Sequence, residues 1–503
     1  MSTTIKAHEL YWYARRYRLD LALAEIGSVS FKLLNNNDDA LKKLGPGRIN
    51  EWQIAFLAKA LILSSNDYRS KPFGDLGLFT LANKYNNLFD ALLEKGQEEG
   101  AAFSFLYRMA HQQLPFQVGH NTLMARAAIL FHDIPKTLKD APINIDRDIE
   151  EYYGMNAEEL IVTGFCILCF SGNGYFQGIN LSEPKFDNLR TFLNQDKLDR
   201  VVSSLTADYS TLRNEIKLHE GTDGLEQYAF NPLRQYPIVR TDRGSLVVPV
   251  TRFLLERVTT GIFYNLMDKY KSRSGNAFLT LFGKDIFEKY IGLLLNQQPI
   301  LGEVIEEFVY GSMNDKTSDW IIIEGEVATL IECKTSGLSL EAKSWGDLEL
   351  IAKDIERHIA QAIKQMHNLE MNIRQKKRGL ERLHHIKHFK YVVLTFDRAY
   401  LANSAKTKEI IDLHLSKHGI KTQYEVIAVK EMEEIAPLLT RHKFSDLIDA
   451  KQKHSEYCNF DFDVFLSTHL GDKGLRRDQG PLLSQRFNNL TNRVSSYITS
   501  KAS

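Results

Sequence analysis

The chain has 503 residues, with 63 Lys+Arg against 63 Asp+Glu, so no global field draws it to nucleic acid and any such binding must come from local patches. Its length allows roughly two to four domains with sizeable cores, and four cysteines argue against a disulfide scaffold and for a reducing compartment. No run of about 18 apolar residues occurs, and MSTTIKAHELYWYARRYRLD at the start lacks the apolar core of a signal peptide, so a cytoplasmic protein with no membrane partner is expected.

Residues 1–225 read as mostly helical. Trp52–Leu63, Leu88–Lys95 and Leu123–Phe131 repeat apolar residues at three- and four-residue spacing. Turn clusters, Gly45-Pro46-Gly47 and Ser171-Gly172-Asn173-Gly174, separate such segments. Residues 226–270 change character: Pro237–Arg240 and Ser245–Val248 predict a short strand pair around Asp242-Arg243-Gly244, then a helix from Arg252, together a connector packed against the domain that follows. Residues 271–452 alternate helix and strand patterns. A helix over 277–296 carries Glu288, and Val304–Tyr310 reads as a strand. Further on come a helix over Leu348–Met371, a strand over Lys390–Phe396, a helix over 406–418, a strand over Glu425–Val429 and helical sequence over 431–452. Residues 453–503 form a mixed C-terminal extension with a basic end.

Within this alternation, Thr317–Ser336 (TSDWIIIEGEVATLIECKTS) predicts a β-hairpin. Two apolar runs flank Gly325-Glu326, a loop suited to the Gly-first turn that matches strand twist. That turn sets a register in which Asp319 lies opposite Glu332, with Lys334 on the same face two positions on. Two ionised carboxylates so placed raise one another's pKa unless a cation sits between them. Mg²⁺, with Mn²⁺ as a substitute, takes one or two carboxylates and fills its shell with water and phosphate oxygens. Lys334 then either deprotonates an attacking water, if burial lowers its pKa, or stabilises developing charge in its protonated form.

Asp319 followed by Glu332-Cys333-Lys334 resembles the active-site signature of the PD-(D/E)XK nuclease superfamily, an acid on one strand ahead of an (E/D)-x-K on the next. The resemblance implies a restriction-endonuclease-like α/β core with a mixed central sheet after the helical region, in an overall α+β multi-domain chain. It implies metal-dependent cleavage that leaves a 5′-phosphate and a 3′-hydroxyl. By the same resemblance Asp319, Glu332 and the Cys333 backbone carbonyl hold the metal, Lys334 acts on the water, and Glu288 supplies a supporting acid. Ser318 replaces the superfamily's proline. Gln361 and Gln365 stand one helical turn apart without the tyrosine of the related glutamine motif, and Gln361 is a candidate for the substrate backbone.

From Lys364 to Lys390 the basic residues Lys364, Arg374, Lys376, Lys377, Arg378, Arg382, Lys387 and Lys390 outnumber Glu370 and Glu381, a pattern that fits phosphate contacts beside the metal site. Lys473, Arg476 and Arg477 are a weaker candidate. Cys166-Ile167-Leu168-Cys169 has CxxC spacing but sits in an apolar run, which suits buried thiols better than zinc. His132-Asp133, with His111 and His120 upstream, has no distinctive spacing, and the run GNGYFQG lacks the lysine-serine pair of a phosphate loop. Trp320 and Trp345 suit the core or its rim. The expected function is a Mg²⁺-dependent DNA endonuclease serving defence against foreign nucleic acid, with a sensor or partner-docking role for residues 1–225, through a protein or an activating ligand. The rivals are a catalytically silent docking module and an RNA-cleaving toxin; a homodimer is compatible with each.

Overall fold

A computed structural model describes residues 4–35, 49–88, 100–139, 141–190, 193–219, 224–271, 277–335, 347–396, 400–472 and 480–498. The Gly45-Pro46-Gly47 turn, most of Leu88–Lys95, the segment 336–346 with Trp345, and the Lys473/Arg476/Arg477 loop lie outside these residues. The chain is mixed α and β, and it divides into two compact units. Among the described residues no helix is long and apolar enough to cross a membrane.

The first unit takes Met1–Ala102, Gln112–Lys269 and Arg486–Ser503. Its early helices are α1 (Ala7–Ala14), α2 (Leu19–Leu34), α3 (Glu51–Ser64) and α4 (Gly74–Asn86). Every residue of α3 from Gln53 to Ile62 is buried, the condition of a helix apolar on all sides that other elements surround. Its start is held by the Asn50 N–H donating to Gln53 Oε1 at 2.8 Å.

A four-stranded sheet, absent from the helical expectation, completes this unit. Its strands are β1 (Tyr175–Phe176), β2 (Thr206–Asp208), β3 (Ile238–Arg240) and β4 (Leu246–Val247), in the order β1-β4-β3-β2. The predicted β3–β4 pair forms, with Val239 opposite Val247. It is the centre of this sheet, however, and Val239, Val247, Val250 and Phe253 share one core with α2 and α3. Residues 226–269, expected to form a connector, fall within the first unit. The reason is a close backbone approach: a Cβ on Gly174 would lie 1.9 Å from the Ala24 carbonyl, and one on Gly27 2.4 Å from that of Val248. Only glycines let the sheet edge seat on α2. Cys166 and Cys169 lie on α5 (Ala157–Cys169) as free thiols, and burial pushes the Cys166 thiol up.

The second unit takes Phe103–His111 and Tyr270–Gln485. Its five-stranded sheet has the order β11-β10-β9-β8-β5, built from β5 (Glu303–Glu306), β8 (Trp320–Glu324), β9 (Val327–Lys334), β10 (His388–Thr395) and β11 (Tyr424–Ala428). β5, β8 and β9 form an antiparallel meander, while β9, β10 and β11 run parallel. Helices cover both faces, which explains the uninterrupted apolar runs of β8 and β10. The expected strand Val304–Tyr310 is divided. Its second half, β6 (Val309–Tyr310), leaves the sheet and pairs with β7 (Asp315–Lys316).

On one face α6 (Glu288–Asn296) follows a π-helical turn, Phe282–Phe287. On the other, α7 (Leu348–Ile355) runs through a second such turn, Glu356–Ala360, into α8 (Gln361–Arg374). Ile305, Ile321, Leu330 and Val393 pack with Ile363, Met366 and Leu369 of α8, joined by Tyr107 from the early segment. Helix α9 (Phe444–Gln452) starts on Glu324, whose carboxylate accepts the Phe444 and Ser445 N–H groups at 2.6 and 2.9 Å. The first part of the expected C-terminal extension is integral here: Phe462, Phe465 and Leu466 are fully buried.

Candidate functional site

The β8–β9 hairpin has the register read from its turn. Trp320 faces Ile331 and Glu324 faces Val327 across Gly325-Glu326. Gly325 takes φ 72°, the left-handed value required at the first central position of that turn. One step beyond the ladder, Asp319 comes opposite Glu332. The β5–β8 ladder ends with Glu306 opposite Trp320, and the Glu307 N–H donates to the Asp319 carbonyl at 3.0 Å. Glu307, Asp319 and Glu332 thus form a row across three strands. A cavity of about 550 Å³ opens over them, lined also by Lys334 and, from α8, by Gln365 and Asn368.

Direct contacts tie the row together. Asp319 Oδ2 accepts the Cys333 N–H at 2.6 Å. Lys334 Nζ donates to Glu332 Oε2 at 2.9 Å and to Gln365 Oε1 at 3.2 Å. Lys316 Nζ donates to Glu307 Oε1 at 2.6 Å. The Lys334 carbonyl accepts from Phe396, just past the end of β10. Alternation along the strand then turns the Cys333 N–H and carbonyl to the opposite edge, toward Asp319. Glu288 approaches from the other face. Its carbonyl accepts the Trp320 indole N–H at 3.1 Å, and the indole rests where a Cβ on Gly292 would lie 2.5 Å away.

Burial dominates the electrostatics of the site, with the neighbouring carboxylates adding to it. Burial and then the Glu332 charge push Asp319 up to about 7. Burial also raises Glu332, despite Lys334 beside it. Glu288 is pushed to about 8 by burial and by the Asp319 and Glu307 charges, so it keeps its proton at neutral pH. Burial alone would lower Lys334, but Glu332 and Asp319 outweigh it and the ammonium is held above its ordinary range. Of the two roles open to Lys334, these charges favour the protonated one. Among the described residues no group of three or more His, Cys, Asp or Glu could hold a metal ion. Asp319 and Glu332 offer the site two carboxylates, donors of the kind that Mg²⁺ and Mn²⁺ take.

The basic stretch is broken up by pairing. Arg374 holds Glu370 at 2.6 Å and lies over the Phe389 ring. Arg382 pairs with Glu303, Lys387 with Glu326 and Lys390 with Asp449. Lys364 stands 3.4 Å from His418. Lys376, Lys377 and Arg378 make no ion pair among the described residues. They occupy the turn after α8, where the Arg378 carbonyl accepts the Gly311 N–H beside Tyr310, a cavity residue. Gln361 is exposed and lies outside the cavity lining; Gln365, one turn on, is the glutamine that meets Lys334. Glu307 and Lys316 went unread in the sequence, since nothing local sets the β5–β8 register. His132 and Asp133 serve structure: His132 lies 3.3 Å from Glu158, and Asp133 accepts two bonds from Arg486.

No known protein family, curated protein or solved structure matches this chain.

Proposed function

We propose that the protein is a Mg²⁺-dependent nuclease that hydrolyses phosphodiester bonds in DNA. The observation that carries this reading is the convergence of Asp319, Glu332 and Lys334 on one cavity through the register of a single hairpin. The element order adds support: a helix bearing Glu288, an antiparallel meander, a helix over the site and a parallel fourth strand follow one another in the chain, the order that the resemblance implies.

Asp319, Glu332 and the Cys333 carbonyl would hold the cation, whose chemistry is to acidify a water and to neutralise charge on a phosphoryl oxygen. Lys334 presents its ammonium to the cavity, oriented by Glu332 and Gln365. In that form it donates a hydrogen bond to the attacking water or to developing phosphoryl charge and abstracts no proton. Glu288, protonated at neutral pH, backs Asp319 without adding negative charge. Lys376, Lys377 and Arg378, in the turn after α8, make no ion pair among the described residues and are our candidates to meet phosphates. Defence against foreign nucleic acid is the biological role we assign, by analogy with the activity.

The test is Mg²⁺- and Mn²⁺-dependent cleavage of plasmid, linear and single-stranded DNA, and of RNA, with Asp319→Ala and Lys334→Ala beside wild type. Each variant should lose about 100-fold or more in rate, and Lys334→Ala should leave the unfolding midpoint nearly unchanged. If Lys334→Ala cuts as wild type does, the assignment is wrong. Salt-sensitive binding without cleavage by wild type would favour a docking module, and cleavage of RNA alone would change the substrate class.

A further inference from the structure

We propose that the N-terminal aromatic and basic face of the first unit binds single-stranded nucleic acid, with bases stacking on Trp12 and phosphates meeting Arg15, Arg16, Lys71 and Lys84. The residues concerned are distinct from those of the nuclease reading.

Helix α1 buries Leu10 and Ala14 and packs on α3 and α4. Trp12 lies on its open side and is 45% exposed. An indole in that state presents part of its surface for stacking. Cations are laid over the rings of Trp12, Tyr13 and the buried Tyr17 beneath them. The Arg16 guanidinium sits 3.6 Å above the Trp12 ring, Lys84 4.6 Å from the Tyr13 ring and Lys71 4.7 Å from the Tyr17 ring. The segments are physically joined, since the Arg18 N–H donates to the Lys71 carbonyl at 3.0 Å. A cavity of about 660 Å³, bordered by His8, Tyr11, Trp12, Arg15 and Ser64, opens beside the indole.

Charge balance decides the class of partner. The whole chain is neutral, yet among the described residues Arg15, Arg16, Lys71 and Lys84 make no ion pair, whereas neighbouring Arg18 is neutralised by Asp20 at 2.7 Å. Glu9, the acid at the cavity, has one carboxylate oxygen engaged by the Lys6 N–H at 3.1 Å. A guanidinium held over a ring still carries N–H groups that can meet phosphate oxygens. Interleaved rings and unpaired cations suit a chain that alternates bases with phosphates, and only unpaired bases expose faces for stacking. An acidic peptide would use the cations and leave the rings idle.

The experiment measures binding of full-length protein to a labelled 12-nucleotide oligothymidylate, and to an abasic strand of equal length, by fluorescence anisotropy in EDTA. Wild type should prefer the base-bearing strand. Trp12→Ala should weaken that binding about tenfold and leave the abasic strand unaffected, with Trp12→Phe retaining most of the affinity. Replacing Arg15, Arg16 and Lys71 together by Gln should reduce the salt dependence by about two charges. Equal affinity of wild type for both strands, or a Trp12→Ala variant that binds like wild type, would overturn the proposal. So would Trp12-dependent capture by anionic lipid vesicles in place of the oligonucleotide.

Discussion

Asp319 is where residue-scale physics is most exposed to measurement. Its carboxyl titrates near 3.8 in an unfolded chain and is pushed to about 7 in the fold. Below pH about 4 both states are protonated, and the burial costs nothing through this group. Between about 4 and 7 the unfolded chain releases its proton while the folded chain keeps it, so stability falls as pH rises and the loss is complete above 7. Asp319→Asn removes the titration. In EDTA its melting temperature should therefore gain on wild type between pH 5 and pH 8, by about 5–10 °C. Mg²⁺ should close that gap at pH 8 by raising wild type alone. A gap independent of pH, measured by scanning calorimetry, would mean that Asp319 is not held protonated. Lys334 does not share this behaviour, because its neighbours favour the charged form that it already carries at neutral pH.

At the scale of elements, the site depends on how two helices seat on the sheet. Gly292 lets α6 meet the Trp320 indole, and Trp320 adjoins Asp319. In Gly292→Ala the new methyl meets two indole carbons at 2.5 and 2.6 Å. Overpacking of this kind costs about 1–3 kcal/mol, more than the helix gains from alanine, about 1 kcal/mol. Urea unfolding should show a net loss, and cleavage should fall with it because Asp319 moves with the indole. If stability rises instead, the indole has room that the packing denies. On the opposite face Gln365 meets Lys334 and Gln361 does not, although both share one side of α8. The difference is axial position along the helix, a quantity that i, i+4 spacing cannot supply.

For the molecule as a whole, the units are assembled from segments far apart in the chain. Helix α10 (Gly480–Ile498) brings Arg486 to Asp133 at 2.7 Å and to Glu158 at 2.8 Å within the first unit. Glu158 is held down at about 2, first by its bond to His132 and then, against the cost of burial, by Arg486. A depressed carboxylate stabilises the fold above its unfolded pKa, near 4.5, and that contribution disappears as pH falls toward 2. Arg486→Met should cost about 2–3 kcal/mol at pH 7, with the difference from wild type shrinking below pH 4 in urea titrations. A loss that persists unchanged to pH 2 would assign the effect to packing of the helix.

Much of the second unit could be read in advance because its signals are local. The turn at Gly325 and the apolar runs beside it sufficed to place Asp319 opposite Glu332 with Lys334 alongside, since a two-residue loop leaves one register open to the strands. Apolar periodicity likewise marked α3, β10 and the helix that became α7 and α8. Tertiary structure decided whatever required distant segments to meet. It brought Glu307 into the row beside Asp319, because the β5–β8 pairing closes over an excursion through β6 and β7. It neutralised half of the basic stretch with Glu303, Glu326, Glu370 and Asp449, three of them remote in sequence. It also made the presumed connector the centre of a sheet whose other strands come from a region with helical periodicity. Side-chain period reports which face of an element is buried, and only the closed fold determines what that face is buried against.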